Sequence, residues 1–294
     1  MISLDVIIPY YGDPNYLFRA IESVRGLIDT DWRLTIVEDC YPGGAEVQRR
    51  VAALGDDRIR YLRNAENLGV AGNQHRCMQL GEREHFVVLD ADDVLLPNYG
   101  KVLSVLINRY PDAAMFQPGV QVIDENGAFH RPLPDLVKGF ARGRSGTFEI
   151  SGEEAVTSLL RGNWLYTPAL CYRRDISADL PQRTGTDGVN DLAMVIDMIL
   201  RGGSLVVSQQ VAFQYRRHRA SHSSSYARSG ERFVEEKAYF ESISTQLRER
   251  GWNSAVRAAN QRLFSRLNAL TQLPSVLQAG ERDTARRLLR HALR

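Results

Sequence analysis

The cluster Leu89-Asp90-Ala91-Asp92-Asp93 is the strongest chemical signal in this 294-residue chain. Carboxylates this close repel one another, and a bound cation relieves the repulsion. Their oxygens suit Mg²⁺ or Mn²⁺, hard ions that can be shared with substrate phosphates. The plain structural use of the same residues is an acidic turn, with Asp93 capping a helix after Pro97. A second candidate is the run Arg216-Arg217-His218-Arg219, with Ser221, His222 and Ser223 close behind. Such a run is usually a solvated basic loop. Arg nevertheless makes bidentate contacts to phosphate, and neutral His can ligate Mn²⁺. The third candidate is Asn190-Asp191, at the head of a stretch in which Leu192, Val195, Ile196 and Ile199 share one face and Gly202-Gly203 closes the pattern. By local pattern alone, Asp191 is a helix cap. His85 and Cys171 show no ligand spacing and read as structural.

The elements around these residues alternate. Leu4 to Ile8 reads as a buried strand ending at Pro9. Asp13-Pro14-Asn15 then opens a helix with Leu17, Ile21, Val24 and Ile28 on one face. Further strands are expected at Leu34 to Val37, Ile59 to Leu62 and Phe86 to Leu89. Strands separated by helical patterns imply βαβ units and a largely parallel sheet. Ligands bind outside the carboxyl ends of such strands. Those ends carry Pro9-Tyr10-Tyr11, Glu38-Asp39 and the acidic cluster, so three polar or aromatic groups converge on one edge. Farther on, Ala114 to Gln117, Val120 to Ile123 and Leu205 to Tyr215 read as strands, and Pro132 to Gly146 as a flexible loop. From about residue 230 the chain is helical and rich in Arg.

Composition narrows the classes. A net charge of +2 argues against bulk binding of nucleic acid, so any cationic site is local. Three scattered cysteines, Cys40, Cys77 and Cys171, indicate neither a disulfide framework nor a zinc cluster. A reducing cytoplasm is the simplest setting. The opening apolar run is too short for a signal segment, and no stretch reaches the roughly 20 apolar residues that cross a bilayer. Near the C-terminus, Arg286, Arg287, Arg290 and His291 interleave with Leu288, Leu289 and Leu293. That pattern fits a helix packed on the core or on a second copy of the chain, or a peripheral contact with the inner face of a membrane.

With these residues in place, the chain resembles the family 2 glycosyltransferases. The opening VIIPYYGDPNYLFRAIESV is similar to the family's strand, Pro-x-Tyr loop and helix. IVEDC stands where V-D-D-G-S is usual, NLGVAGNQHR resembles the N-x-G segment, and VVLDADDVLLP matches L-D-x-D-D. TPALCYRRDI, VNDLAMVIDMILRGG and YRRHRASHS resemble the later motifs, so the likeness runs from residue 4 to about 223. It implies an α/β GT-A fold: one Rossmann-like nucleotide-binding domain with a mixed central sheet and a C-terminal helical extension. The domain would span residues 1–225, with a nucleotide-sugar half (1–112) and an acceptor half (113–225), and the extension residues 226–294.

The resemblance also assigns roles. Pro9, Tyr11 and Asp39 would meet the base and ribose, and Asn67 and Ala91 would belong to the donor site. Asp90 would face the ribose, Asp92 and His218 would hold Mn²⁺ or Mg²⁺, and Arg216 would reach the diphosphate. Asp191 would be the catalytic base, against the local preference for a cap. The implied reaction is inverting, single-sugar transfer from a nucleotide-sugar, with UDP or dTDP favoured. The acceptor would be a glycan, a lipid-linked molecule or a small molecule. Glu38, Cys40-Tyr41, His75 and Asn190 depart from the family's usual residues. A nucleotidyltransferase is the main rival, but Pro9-Tyr10-Tyr11-Gly12 stands where its Gly-rich loop would be. A dehydrogenase would need G-x-G-x-x-G after the first strand. A catalytically silent nucleotide-binding module is the third alternative.

Overall fold

The structure is a computed structural model that describes residues 1–130, 133–177, 179–183, 187–218, 226 and 230–293. Its first half runs β1 (Ile2–Tyr10), α1 (Pro14–Arg25), β2 (Thr30–Glu38), α2 (Gly44–Ala52), β3 (Ile59–Arg63), α3 (Gly69–Gln79), β4 (His85–Val88), β5 (Val94–Leu95) and α4 (Tyr99–Arg109). The second half continues with β6 (Met115–Ile123), α5 (Leu133–Arg142), β7 (Phe148–Ser151), α6 (Gly152–Arg161), β8 (Cys171–Arg173), α7 (Arg174–Ser177), α8 (Asn190–Leu200) and β9 (Ser204–Arg216). Four helices follow: α9 (Glu231–Glu249), α10 (Asn253–Gln261), α11 (Leu263–Gln278) and α12 (Arg282–Leu293).

The strands form one mixed sheet in the order β3-β2-β1-β4-β8-β6-β9-β5, with β7 on β9. The pairs β1–β2, β2–β3 and β1–β4 are parallel, as the βαβ pattern implies. β8 breaks the run by pairing antiparallel with both β4 and β6. Helices cover both faces, so successive strand residues drop into opposite cores. Leu4, Val6, Ile8, Leu34, Ile36, Val87 and Leu89 pack with α1 and α4. Ile7, Val37, Phe86 and Val88 pack on the other side with α6, α8, α9 and α10. Each such side chain is worth about 1.5–3 kcal/mol when fully buried, so the strand ends that carry the polar groups are rigidly held.

Several local expectations change. Ile28 lies beyond the Gly26 cap and is 59% exposed, because α1 ends before that face is completed. The strands expected at Ala114 to Gln117 and Val120 to Ile123 are one strand, β6, with register shifts either side of Gly119. Gly119 allows the Gln209 carbonyl to approach where a Cβ would collide. The loop expected at Pro132 to Gly146 contains helix α5 instead. Pro134 falls in its first turn, where a missing N–H leaves no bond unmade, and Gly143 at φ 65° lies just past its end. At the C-terminus α12 packs through Ala285 and Leu288 onto Phe233, Ala269 and Val276. Leu289 and Leu293 face outward. Among the described residues no helix is long and apolar enough to cross a membrane.

Candidate active site

A cleft of about 1220 Å³ opens at the carboxyl ends of β1, β2 and β4. Pro9, Tyr11, Asp39, Asn67, Asp90, Ala91, Asp92, Asp191 and His218 all line it. Residues scattered over two hundred positions of sequence are thus gathered in one cavity.

The wall beyond β2 is built around Asp39. Its Oδ1 accepts from Asn64 Nδ2 at 2.6 Å and from the Leu68 N–H at 2.8 Å, and its Oδ2 accepts from the Gly69 N–H at 3.0 Å. The carboxylate thereby caps α3, which has no side-chain cap of its own. Asn67 Nδ2 donates to the Asp39 carbonyl at 3.0 Å, fixing the same loop. Tyr11 stands 59% exposed, edge-on to Tyr41 at 5.8 Å, which leaves a ring face free at the mouth.

The floor is acidic. Carboxylate oxygens of Asp90, Asp92 and Asp93 lie within 4.8 Å of one another. Burial, and then the charge of Asp92, hold Asp90 and Asp93 well above the ordinary carboxylate range. Asp93 Oδ2 is buried without a hydrogen-bond partner among the described residues. Asp93 does not cap a helix; its Oδ1 accepts the Arg216 N–H at 2.7 Å. His218 Nε2 sits 2.8 Å from Asp92 Oδ2. Crowded carboxylates, one orphaned oxygen and an imidazole nitrogen form a donor set that fits a hard divalent cation.

Helix α8 presents Asp191 to the same cleft, near enough for its charge to act on Asp90. Val189, not Asp191, occupies the cap position, and no side chain caps this helix. The Asp191 carboxylate instead turns to Gln74 Nε2, which donates to Oδ1 at 2.8 Å. Asn190 Nδ2 donates to Gln74 Oε1 at 2.9 Å, which fixes the amide with its NH₂ toward Asp191. Burial raises the Asp191 pKa above 3.8, while hydrogen bonds from Gln74 and Thr167 and the charges of Lys138 and Arg232 oppose the rise. The group is therefore a carboxylate with enhanced proton affinity, held by neutral donors.

Arg216 is placed differently from the other candidates. It lies outside the cleft lining, with its guanidinium spent on main-chain carbonyls. Nε donates to Asp92 O at 2.8 Å and Nη1 to Asp124 O at 3.0 Å. It braces the acidic turn from behind. Arg217, the next residue, faces the cleft and makes a bidentate pair with Asp135 at 3.0 and 2.9 Å. Arg219, Ser221, His222 and Ser223 lie outside the described residues. Gln74, Thr167, Lys138, Arg217 and Arg232 also line the cavity. Gln74 lies in NLGVAGNQHR and Thr167 in TPALCYRRDI, both motif-bearing stretches; Lys138 and Arg232 carry no motif.

Residues 5–166, just over half the chain, match the model of the family described as Glycosyl transferase family 2. The chain belongs to that family. Among its relatives, WcaA of Escherichia coli (strain K12), named for glycosyl transfer in colanic acid biosynthesis, is 30% identical over 95 residues. That match covers 32% of this chain and 34% of the relative. A glycosyltransferase of Methanocaldococcus jannaschii is 27% identical over 127 residues, 42% of this chain and 43% of its own. The chain thus spans well under half the length of these relatives.

Solved structures of similar fold include S. aureus TarS 1-349, at TM-score 0.64 and 14% identity over 90% of this chain and 72% of that one. The same protein in complex with UDP-GlcNAc aligns at TM-score 0.58 and 12% identity, over 97% of this chain and 90% of that one. GalNAc-T7 with UDP, GalNAc and Mn²⁺ aligns at 0.53 and 13% identity, over 74% and 44%. At these identities the likeness shows the GT-A fold alone. The strand-end cleft lies where sheets of this kind bind their ligands.

Proposed function

We propose that this transferase moves a single sugar from a nucleotide-diphosphate sugar, UDP- or dTDP-linked, to an acceptor hydroxyl with inversion at the anomeric carbon. One observation carries the reading: Asp191, half-buried and proton-avid, shares a cleft with the crowded carboxylates of Asp90 and Asp92. Leaving-group stabilisation and proton acceptance are thereby assigned to different elements of one cleft.

On the donor side, Pro9, Tyr11 and Asp39 bound the space for base and ribose, with Asn67 supporting that loop and Asp90 and Ala91 at the ribose. Asp92 and His218 would hold Mn²⁺ or Mg²⁺; when bound, the cation neutralises charge growing on the departing diphosphate. TarS with UDP-GlcNAc and GalNAc-T7 with UDP and Mn²⁺ support this choice of ligands. On the acceptor side, Asp191 takes the hydroxyl proton as the new C–O bond forms and the old anomeric C–O bond breaks. Gln74 and Thr167 hold Asp191 in place; neither changes protonation. No protein nucleophile is needed, and one displacement inverts the centre. Residues 1–225 act as the transferase domain in this scheme, and 226–294 as a helical extension packed against it.

Thermal denaturation with UDP, dTDP and GDP, each with Mn²⁺ or with EDTA, tests the donor assignment. Ligands that bind only the folded state raise its melting temperature. A rise with UDP or dTDP that needs the metal and is lost in Asp92→Asn is expected. Equal shifts in EDTA would remove the cation from the scheme.

A further inference from the structure

The acidic floor has a counterpart in the same cleft. Lys138 from α5, Arg217 beyond β9 and Arg232 from the first turn of α9 all line the cavity, brought together from three separate elements. Their neutralisation within the protein is incomplete. Arg217 takes the Asp135 carboxylate in a fork, and Tyr166 Oη also donates to that carboxylate, at 2.7 Å. Among the described residues Lys138 is held by neutral partners, the Leu165 carbonyl at 2.7 Å and the Tyr166 ring at 4.0 Å. Arg232 keeps a buried Nε without a hydrogen-bond partner among the described residues. Burial, and next the charge of Arg217, push Lys138 down to about 7, with Arg232 adding to the effect.

Beside Asp135, the carboxylates lining this part of the cavity include Asp187 and Asp191, and Lys138 and Arg232 both act on Asp191. When Asp191 accepts a proton its charge is lost, so this part of the cavity becomes more positive as the reaction proceeds. A group of cations that grows more positive is relieved by an oxyanion, as crowded carboxylates are relieved by a metal. Donor phosphates would find their counter-charge in the cation that Asp92 and His218 would hold. Lys138 and Arg217 also belong to the half of the chain expected to bind acceptor.

We propose that the acceptor carries a phosphate group, separate from any phosphate of the donor, and that Lys138, Arg217 and Arg232 seat it so that the acceptor hydroxyl reaches Asp191. This rests on the reading of the cleft as a nucleotide-sugar transferase site. A phosphate offers several acceptor oxygens to the N–H groups that Asp135 leaves on Arg217, to the Arg232 guanidinium and to the Lys138 ammonium.

The test is calorimetric titration of the full chain, saturated with UDP and Mg²⁺, using inorganic phosphate as probe and glycerol as the uncharged control. Phosphate binds and glycerol does not. Lys138→Met and Arg232→Gln each weaken phosphate by about 10-fold or more, the scale of a lost charge-assisted hydrogen bond, while UDP affinity stays within about 2-fold. Two substitutions on different elements guard against one that fails to fold, and melting temperatures identify such a case. Absence of phosphate binding to the UDP-loaded wild type would overturn the proposal. So would parallel loss of UDP and phosphate affinity, which would make the cations part of the donor site. Phosphate binding to a chain that binds no UDP would instead break the transferase reading of the cleft, and the acceptor subsite with it.

Discussion

The cleft gathers two groups of like charge: Asp90, Asp92 and Asp93, with one orphaned oxygen, and Lys138, Arg217 and Arg232, with one orphaned N–H among the described residues. The two groups are mirror images in charge but not in construction. The acids are neighbours in sequence on one strand-end turn, braced from behind by Arg216. The cations come from three elements and are steadied by Asp135, Tyr166 and a single carbonyl. A contiguous, braced turn gives a site of fixed geometry. A site assembled from three elements can vary with each of them, which suits an acceptor pocket better than a shared donor pocket.

The largest effect that would sharpen this contrast is at Asp92. Asp92→Asn should lower release of nucleoside diphosphate from a panel of UDP- and dTDP-sugars on the order of 10²- to 10³-fold, the loss seen when one preorganised charge-stabilising group is removed. The Lys138 substitution should lower the same water-driven release far less, because water carries no phosphate. Equal losses would erase the difference between the two groups.

Arg216→Lys comes next. A lysine cannot bridge the Asp92 and Asp124 carbonyls with one planar fork. Stability should fall by about 1–3 kcal/mol as buried carbonyls lose a charged donor, measured by urea unfolding. Nucleotide affinity should fall with it, since the acidic turn loses its brace. Weakened nucleotide binding at full stability would mean that Arg216 reaches the diphosphate itself.

The smallest effect is a pH dependence. Lys138 titrates near 7 in the folded chain against 10.5 when unperturbed, so the unfolded state binds more protons between those values. Its penalty is complete below pH 7, and stability rises as pH climbs through that window. Lys138→Met should flatten this slope. Asp191 has the opposite sign: its raised folded value makes its contribution fall as pH rises from 3.8 through that value. Turnover needs Asp191 ionised, so the acid limb of kcat/KM should lie above the ordinary carboxylate range and vanish from the residual rate of Asp191→Asn.

How much of this was legible in the sequence follows from the same construction. The strands β1, β2 and β4 are apolar runs closed by polar residues, so their shared edge and the residues on it could be read directly. Short strands such as β5, with two residues, and β8, with three, give too little pattern to read. Arg216 and Arg217 differ by one position at the end of β9, and side chains alternate along a strand. One therefore points behind the acidic turn and the other into the cleft, a distinction set by register rather than by composition. Lys138 was hidden because Pro, Gly and Arg around it look like a loop. Asp191 was ambiguous for a different reason: Asp in a first helical turn is common, and the partners that hold its carboxylate in the site, Gln74 and Thr167, are distant in sequence.

The central claim is that Asp191 accepts the proton while Asp92 and His218 handle the leaving group. Asp191→Asn is nearly isosteric and can still meet Gln74, so three quantities on one preparation decide the matter: melting temperature, UDP affinity with Mn²⁺, and sugar transfer or donor hydrolysis. The prediction is a little-changed melting temperature, unchanged UDP affinity, and turnover lower by about 10²- to 10⁴-fold. Near-normal turnover by a folded, UDP-binding Asp191→Asn would contradict the account and move the search for the base to Asp187, which lines the same cleft.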